Sequence, residues 1–214
     1  MGLGIKAEVS FATLQSQKVP LSSCPRWAVL GRSNVGKSSL LNSLVHPKKL
    51  FRTGAKPGVT TGLVAAKVQL AKSEDSYLEI VDLPGFGYAR YSKNILSGWE
   101  ELIITLREQS EERGLLWVWL ADPKRKPAEE EVALLSWLKM SPYMFVFTKS
   151  DQVKTGQRKE AEKAWKSFIE RSTEGPYWVS SLKGEGFQSL QKSARNYVRM
   201  CSDEAKLAKE GDEG

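Results

Sequence analysis

Gly31-Arg32-Ser33-Asn34-Val35-Gly36-Lys37-Ser38 matches G-x-x-x-x-G-K-[ST], and no other stretch constrains the fold as much. The motif works only where a strand enters it and a helix leaves it. Its glycines let the backbone curl so that successive N–H groups point inward. Those donors, with the helix N-terminus, bind phosphate oxygens. Lys37 adds a point charge at the β and γ phosphates, Ser38 offers a hydroxyl to Mg²⁺, and Ser39 is read with them as nucleotide-binding. The flanks meet the condition: Trp27 to Leu30 reads as a buried strand and Ser38 to Val45 as a helix.

The same alternation continues along the chain. Leu63 to Leu70, Tyr77 to Val81, Leu115 to Ala121, Tyr143 to Thr148 and Tyr177 to Ser180 read as further strands. Between them lie a loop, Lys48 to Gly62, and helix-period stretches. One helix is predicted over Ser92 to Arg113, capped by Ser92 and stopped by Gly114, with Ile95, Leu96, Trp99, Leu102, Ile103 and Leu106 on one face. Another starts at Pro127 with Glu129, Glu130 and Glu131 in its first turn, and a third is capped by Thr155. Phe187, Leu190, Ala194, Tyr197 and Val198 stripe the last, which is expected to end near Met200. The class is α/β: a mostly parallel six-stranded sheet with helices on both faces. Residues 1–26 are read as an N-terminal extension, 27–200 as one nucleotide-binding domain, and 201–214 as a frayed, charged tail.

At 214 residues the chain suits one compact domain, and a monomer is expected. No apolar run approaches the ~18 residues of a membrane span. Lys6 and Glu8 interrupt any signal peptide, and the final Gly-Asp-Glu-Gly is no lipidation motif. These features predict a cytoplasmic protein with no membrane partner. Cys24 and Cys201 are expected as unpaired thiols, and His46 as a solvated helix-end residue. Net charge is +7, yet ten Lys and Arg and no acid lie between Val9 and Ser73. Such a stretch attracts polyanions. Lys48, Lys49, Arg52 and Lys56 lie on or beside its central loop, which Thr60 would reorganise around a γ-phosphate.

Three further motifs follow predicted strands. Asp82-Leu83-Pro84-Gly85 places a carboxylate for Mg²⁺ and, at Gly85, an N–H for a γ-phosphate. Pro57-Gly58-Val59-Thr60-Thr61 holds a hydroxyl able to complete the Mg²⁺ shell; Thr60 is favoured and Thr61 stays open. Thr148-Lys149-Ser150-Asp151 matches [NT]-K-x-D. Asp151, an acceptor-only carboxylate, can take both N1–H and N2–H of guanine, and adenine would leave it unpaired. The Lys149 stem can lie across the base. In Ser180-Ser181-Leu182 a backbone N–H, at Ser181, can reach guanine O6.

In this order the motifs resemble those of GTPases with a Ras-like core, over Trp27 to Met200. Gly31 to Leu40, Asp82 to Ala89 and Val179-Ser180-Ser181-Leu182-Lys183 resemble the EngB (YihA/YsxC) family, among the TrmE/Era-like P-loop GTPases. The resemblance implies a single-domain GTPase that binds GTP and GDP and serves in assembly of the large ribosomal subunit. Many members carry Thr-Gln where this chain has Thr60-Thr61. Ras-type enzymes place a water-orienting Gln where this chain has Phe86, so hydrolysis is expected to be slow. In related GTPases an Asn at the Asn34 position resembles a ligand for K⁺. Asn34 as a loop residue accepting an unusual backbone angle is an equal alternative.

Overall fold

The computed structural model describes residues 6–13, 24–45, 51, 62–70, 76–87, 93–108, 110, 114–138 and 141–212. His46, Lys48, Lys49, Arg52, Lys56, Thr60, Thr61 and Ser92 lie outside the described residues.

The strands are β1 (Lys6–Thr13), β2 (Arg26–Gly31), β3 (Gly62–Gln69), β4 (Tyr77–Asp82), β5 (Leu115–Ala121), β6 (Tyr143–Phe147) and β7 (Glu174–Trp178). They form one sheet in the order β1-β3-β4-β2-β5-β6-β7. The pairings β4-β2, β2-β5, β5-β6 and β6-β7 are parallel, whereas β3 is antiparallel to both β4 and β1. The six strands read from the sequence are present, and the sheet is mostly parallel. A seventh comes from the stretch read as an extension: β1 lies along β3 from Lys6 opposite Gln69 to Thr13 opposite Gly62. Lys6-Ala7-Glu8-Val9-Ser10-Phe11 does alternate at period 2, the signature of a half-covered strand. β7 also begins three residues before the expected Tyr177. Gly175 and Pro176 mask it in the sequence, and an edge strand is where a sheet tolerates them.

The helices are α1 (Lys37–Leu44), α2 (Lys93–Glu108), α3 (Glu129–Leu138), α4 (Thr155–Ala164), α5 (Lys166–Arg171) and α6 (Phe187–Asp212). α2 is described as far as Glu108, and Arg113 lies outside the described residues; Lys154 rather than Thr155 caps α4, its N–H donating to Gln157 Oε1 at 2.8 Å. α6 runs twelve residues past Met200, which corrects the frayed tail. Its end is exposed but rich in helix formers, with Asp203/Lys206 and Lys206/Glu210 at mutually supporting spacings. Cys24 and Cys201 are both free thiols.

Strand side chains alternate between two cores, because both sheet faces are covered. Trp27, Val29, Leu116, Val118, Leu120, Met144 and Val146 pack with α1 and α6. Ala28, Leu30, Trp117, Trp119, Ala121, Phe145 and Phe147 pack with α2, α3, α4 and α5. Leu102, Ile103 and Leu106 carry the described part of the α2 stripe.

Candidate functional site

Because β4, β2, β5 and β6 run parallel, their carboxyl ends share one edge, where open α/β sheets bind ligands. Five segments leave that edge: the 31–38 loop from β2, 82–87 from β4, Asp122 from β5, Thr148 to Asp151 from β6, and the 179–186 turn after β7.

Gly36 sits at φ +105° as the N-cap of α1, with no side chain capping that helix end. A glycine is needed there because side-chain-bearing residues rarely adopt that angle. With no side chain capping them, the N–H groups of the first α1 turn can take an anion. Asn34 is also left-handed, at φ +63°. Val35 is buried, and its N–H donates to Arg32 O at 3.1 Å. Two bonds tie the loop to the end of β6: Thr148 Oγ1 donates to Val35 O at 2.6 Å, and Lys149 Nζ donates to Asn34 O at 2.8 Å.

Lys37 and Asp82 share this enclosed region. Burial pushes the Asp82 carboxyl up to about 6, against the pull of Lys37 and the Ser38 hydrogen bond. Burial likewise lowers the Lys37 ammonium, and the Asp82 charge partly offsets it. Ser38 Oγ lies 3.5 Å from Asp82 Oδ2. Asp82 Oδ1 is buried and has no hydrogen-bond partner among the described residues. A carboxylate oxygen left this way, beside a hydroxyl, suits a hard cation that takes few protein ligands, and so fits Mg²⁺. Thr60, the third expected ligand, and Thr61 lie outside the described residues.

The segment after Asp82 is pressed onto the phosphate loop. A Cβ on Gly85 would come within 2.6 Å of Ser33 Oγ and 2.9 Å of Ser33 Cα, so this position holds glycine for close approach. Ser33 N donates to Phe86 O at 2.8 Å. The Phe86 ring turns inward, buried and 6.3 Å from the Trp119 ring. The Arg32 guanidinium points away from the helix end: it donates to Gly87 O at 3.2 Å and pairs with Glu131 at 3.4 Å and Glu130 at 3.5 Å. What Arg32 offers a nucleotide is therefore its backbone.

At the base end, Lys149 takes φ +53°, and Ser150 N donates to Val179 O at 3.0 Å, docking this segment on the 179–186 turn. The Ser180 hydroxyl donates to Asp151 Oδ1 at 2.5 Å and accepts from Lys183 N at 3.1 Å. The expected Ser180 is thus buried and holds the carboxylate. Ser181 is half-buried, Leu182 is exposed, and so is Ser39.

The sequence reading passed over Asp122 and Glu185, and placed Glu131 only in a helix's first turn. Asp122 Oδ2 accepts from Lys149 Nζ at 2.8 Å, and Ser150 Oγ donates to Glu185 Oε2 at 3.2 Å. Asp122 had a signal: it ends an apolar strand just as Asp82 does. The pairing of Arg32 with Glu131 left none, because it joins residues 99 apart.

Residues 26–149 match a family described as 50S ribosome-binding GTPase. The chain is 30% identical to the probable GTP-binding protein EngB of Shouchella clausii, over 91% of this chain and 97% of the relative. It is 36% identical to that of Prosthecochloris aestuarii, over 84% and 91%. Among solved structures, Aquifex aeolicus Era bound to GDP·AlF4⁻ aligns over 80% of this chain and 56% of Era, with a TM-score of 0.63 at 23% identity. A probable GTP-binding protein engB aligns over 82% and 99%, with a TM-score of 0.55 at 20% identity. A phosphate loop closed on an Asp82-bearing strand, a Lys-x-Asp segment clamped beside it, and 30% and 36% identity to these relatives over most of the chain place it in the EngB family of P-loop GTPases.

Proposed function

We propose that the protein binds GTP and GDP with Mg²⁺, hydrolyses GTP slowly, and acts as a switch in assembly of the large ribosomal subunit. One observation carries the nucleotide reading: Asp151, oriented by Ser180, stands one residue from Ser150 and two from Lys149, whose ammonium is bonded to the phosphate loop at Asn34 O. Base and phosphate recognition are thereby locked in one register. Guanine offers the two donors that Asp151 accepts, and Ser181 N–H is the donor for O6.

Lys37 and the N–H groups of the 31–38 loop bind and orient the phosphates. Ser38, Asp82 and Thr60 would hold Mg²⁺, which when bound neutralises charge on the β and γ phosphates. Gly85 N–H meets the γ-phosphate. No side chain in the Asp82 motif orients water, because Phe86 faces the core. Turnover then depends on a positive charge supplied from elsewhere, and K⁺ held with the help of Asn34 is one source. The buried Phe86 also favours a second reading, a nucleotide-gated binding module with negligible turnover.

The ribosomal role is supported by the matched family description and by the acid-free basic stretch. Its test is sucrose-gradient sedimentation of ribosomal particles from cells depleted of the protein. Accumulated large-subunit precursors are expected. A normal profile would overturn the role and favour a signalling or trafficking switch with a protein partner.

A further inference from the structure

Beside the nucleotide edge, the turn that follows β5 carries Lys124, Arg125 and Lys126, three consecutive basic residues, all exposed. The backbone beneath them is fixed. Asp122 Oδ1 accepts from Lys124 N at 3.0 Å, Asp122 O accepts from Arg125 N at 3.0 Å, and Arg125 O accepts from Trp165 Nε1 at 2.8 Å. Pro123 and Pro127 bracket the turn, each with its φ set by the ring. Ordering this loop on binding therefore costs little beyond the side chains themselves.

Two basic groups next to this turn are committed: Arg32 to Glu130 and Glu131, and Lys149 to Asp122. Among the described residues, Lys124, Arg125 and Lys126 have no ion pair. Of the acids that follow, Glu131 is buried against Arg32 and Glu130 is turned to it, though partly open to solvent, while Glu129 is exposed. The turn also presents no exposed apolar side chain, since Pro123 and Trp165 are buried. Membrane-surface segments combine basic residues with exposed Trp, Phe or Leu. A phosphate backbone asks for positive charge alone.

Asp122 also joins this turn to the phosphate loop. One carboxylate oxygen holds Lys124 N and the other holds Lys149 Nζ, which bonds Asn34 O in the phosphate loop. We propose that residues 122–126 form a docking surface for the phosphate backbone of structured RNA, with Asp122 holding it in register with the nucleotide site. The natural partner, though not the surface, rests on the ribosomal reading above.

The test compares the full chain with its Lys124→Ala/Arg125→Ala/Lys126→Ala variant, against a short fluorescent RNA duplex followed by anisotropy across a KCl series. All three residues are exposed, so the melting temperature should match wild type. Each lost phosphate contact removes about 0.9 from the slope of log K against log salt. The variant is therefore expected to lose about two to three from that slope and at least tenfold in affinity at moderate salt. An unchanged slope overturns the assignment, as does wild-type binding to anionic vesicles in preference to the duplex. Pelleting with purified large ribosomal subunits separates the two readings. If both wild type and variant pellet, and to the same extent, the surface is wrong and the ribosomal reading stands. If the duplex slope changes as expected but wild type does not pellet, the surface stands and the ribosomal reading falls.

Discussion

Lys149 Nζ stands 2.8 Å from Asp122 Oδ2, and the same ammonium is 2.8 Å from the Asn34 carbonyl oxygen. Lys149 is thus held from two sides, by the carboxyl end of β5 and by the phosphate loop.

Asp122→Asn keeps an acceptor for Lys124 N but sets an amide where Lys149 needs a carboxylate. Lys149 is about a third exposed, so water screens the pair and the loss should be modest, on the order of 1 kcal/mol. GDP and GTP should both bind about fivefold more weakly in fluorescence titrations with labelled nucleotide. Equal affinity in variant and wild type would show that Asn34 O alone positions the lysine.

The Asp151 carboxylate sets guanine choice in this reading. Asp151→Asn puts a donor where guanine also donates, whereas xanthine offers a carbonyl. GTP affinity should fall by roughly 1–3 kcal/mol and XTP affinity should rise. Ser180→Ala removes the hydroxyl that orients the carboxylate, so it should weaken GTP without favouring XTP. Calorimetry with both nucleotides checks each outcome.

At φ +63° Asn34 holds a backbone conformation that an alanine would strain. Asn34→Gly keeps the loop and deletes only the carboxamide. If that group helps to hold K⁺, wild type should hydrolyse GTP faster in K⁺ than in Na⁺, and the glycine variant should not. A positive charge in the transition state is worth roughly 10³–10⁵ in GTPases, so even partial use should be plain in single-turnover rates. Equal wild-type rates in the two salts would leave a partner-supplied residue as the source.

Metal-free protein should report on Asp82 through its stability. Burial raises the carboxyl to about 6 in the fold. Its proton therefore stabilises the fold fully below the ordinary carboxylate range, about 4, and that contribution is lost as pH rises through about 6. In EDTA, the melting temperature of wild type should fall relative to Asp82→Asn across that window. Adding Mg²⁺ and GDP should raise it more at pH 7.5 than at pH 5. Parallel pH profiles for the two proteins would remove Asp82 from this role.

Much of this site was legible because its parts are local. Gly31 to Ser38, Asp82 to Gly85 and Thr148 to Asp151 each carry their chemistry within a few consecutive residues, and each follows an apolar run that became a strand. What stayed hidden depends on the fold. Asp122 earns meaning only when β5 and β6 lie side by side, and Arg32 only when Glu131 and Gly87 come to it. β1 was missed because its alternation is short and its partner β3 lies some fifty residues away. The α6 extension was missed because dense charge reads as solvation, although alternating signs at helical spacing also support a helix.

β1 covers the whole length of β3, from Lys6 opposite Gln69 to Thr13 opposite Gly62. A recombinant version trimmed to the motif-bearing core from Trp27 would strip that cover and leave eight residues of β3 as an open sheet margin. Rows of unpaired N–H and C=O groups of that kind template association with other chains. Such a fragment should come out of expression as oligomers and precipitate even with every nucleotide contact intact, which would make Lys6–Thr13 a solubility guard for the sheet.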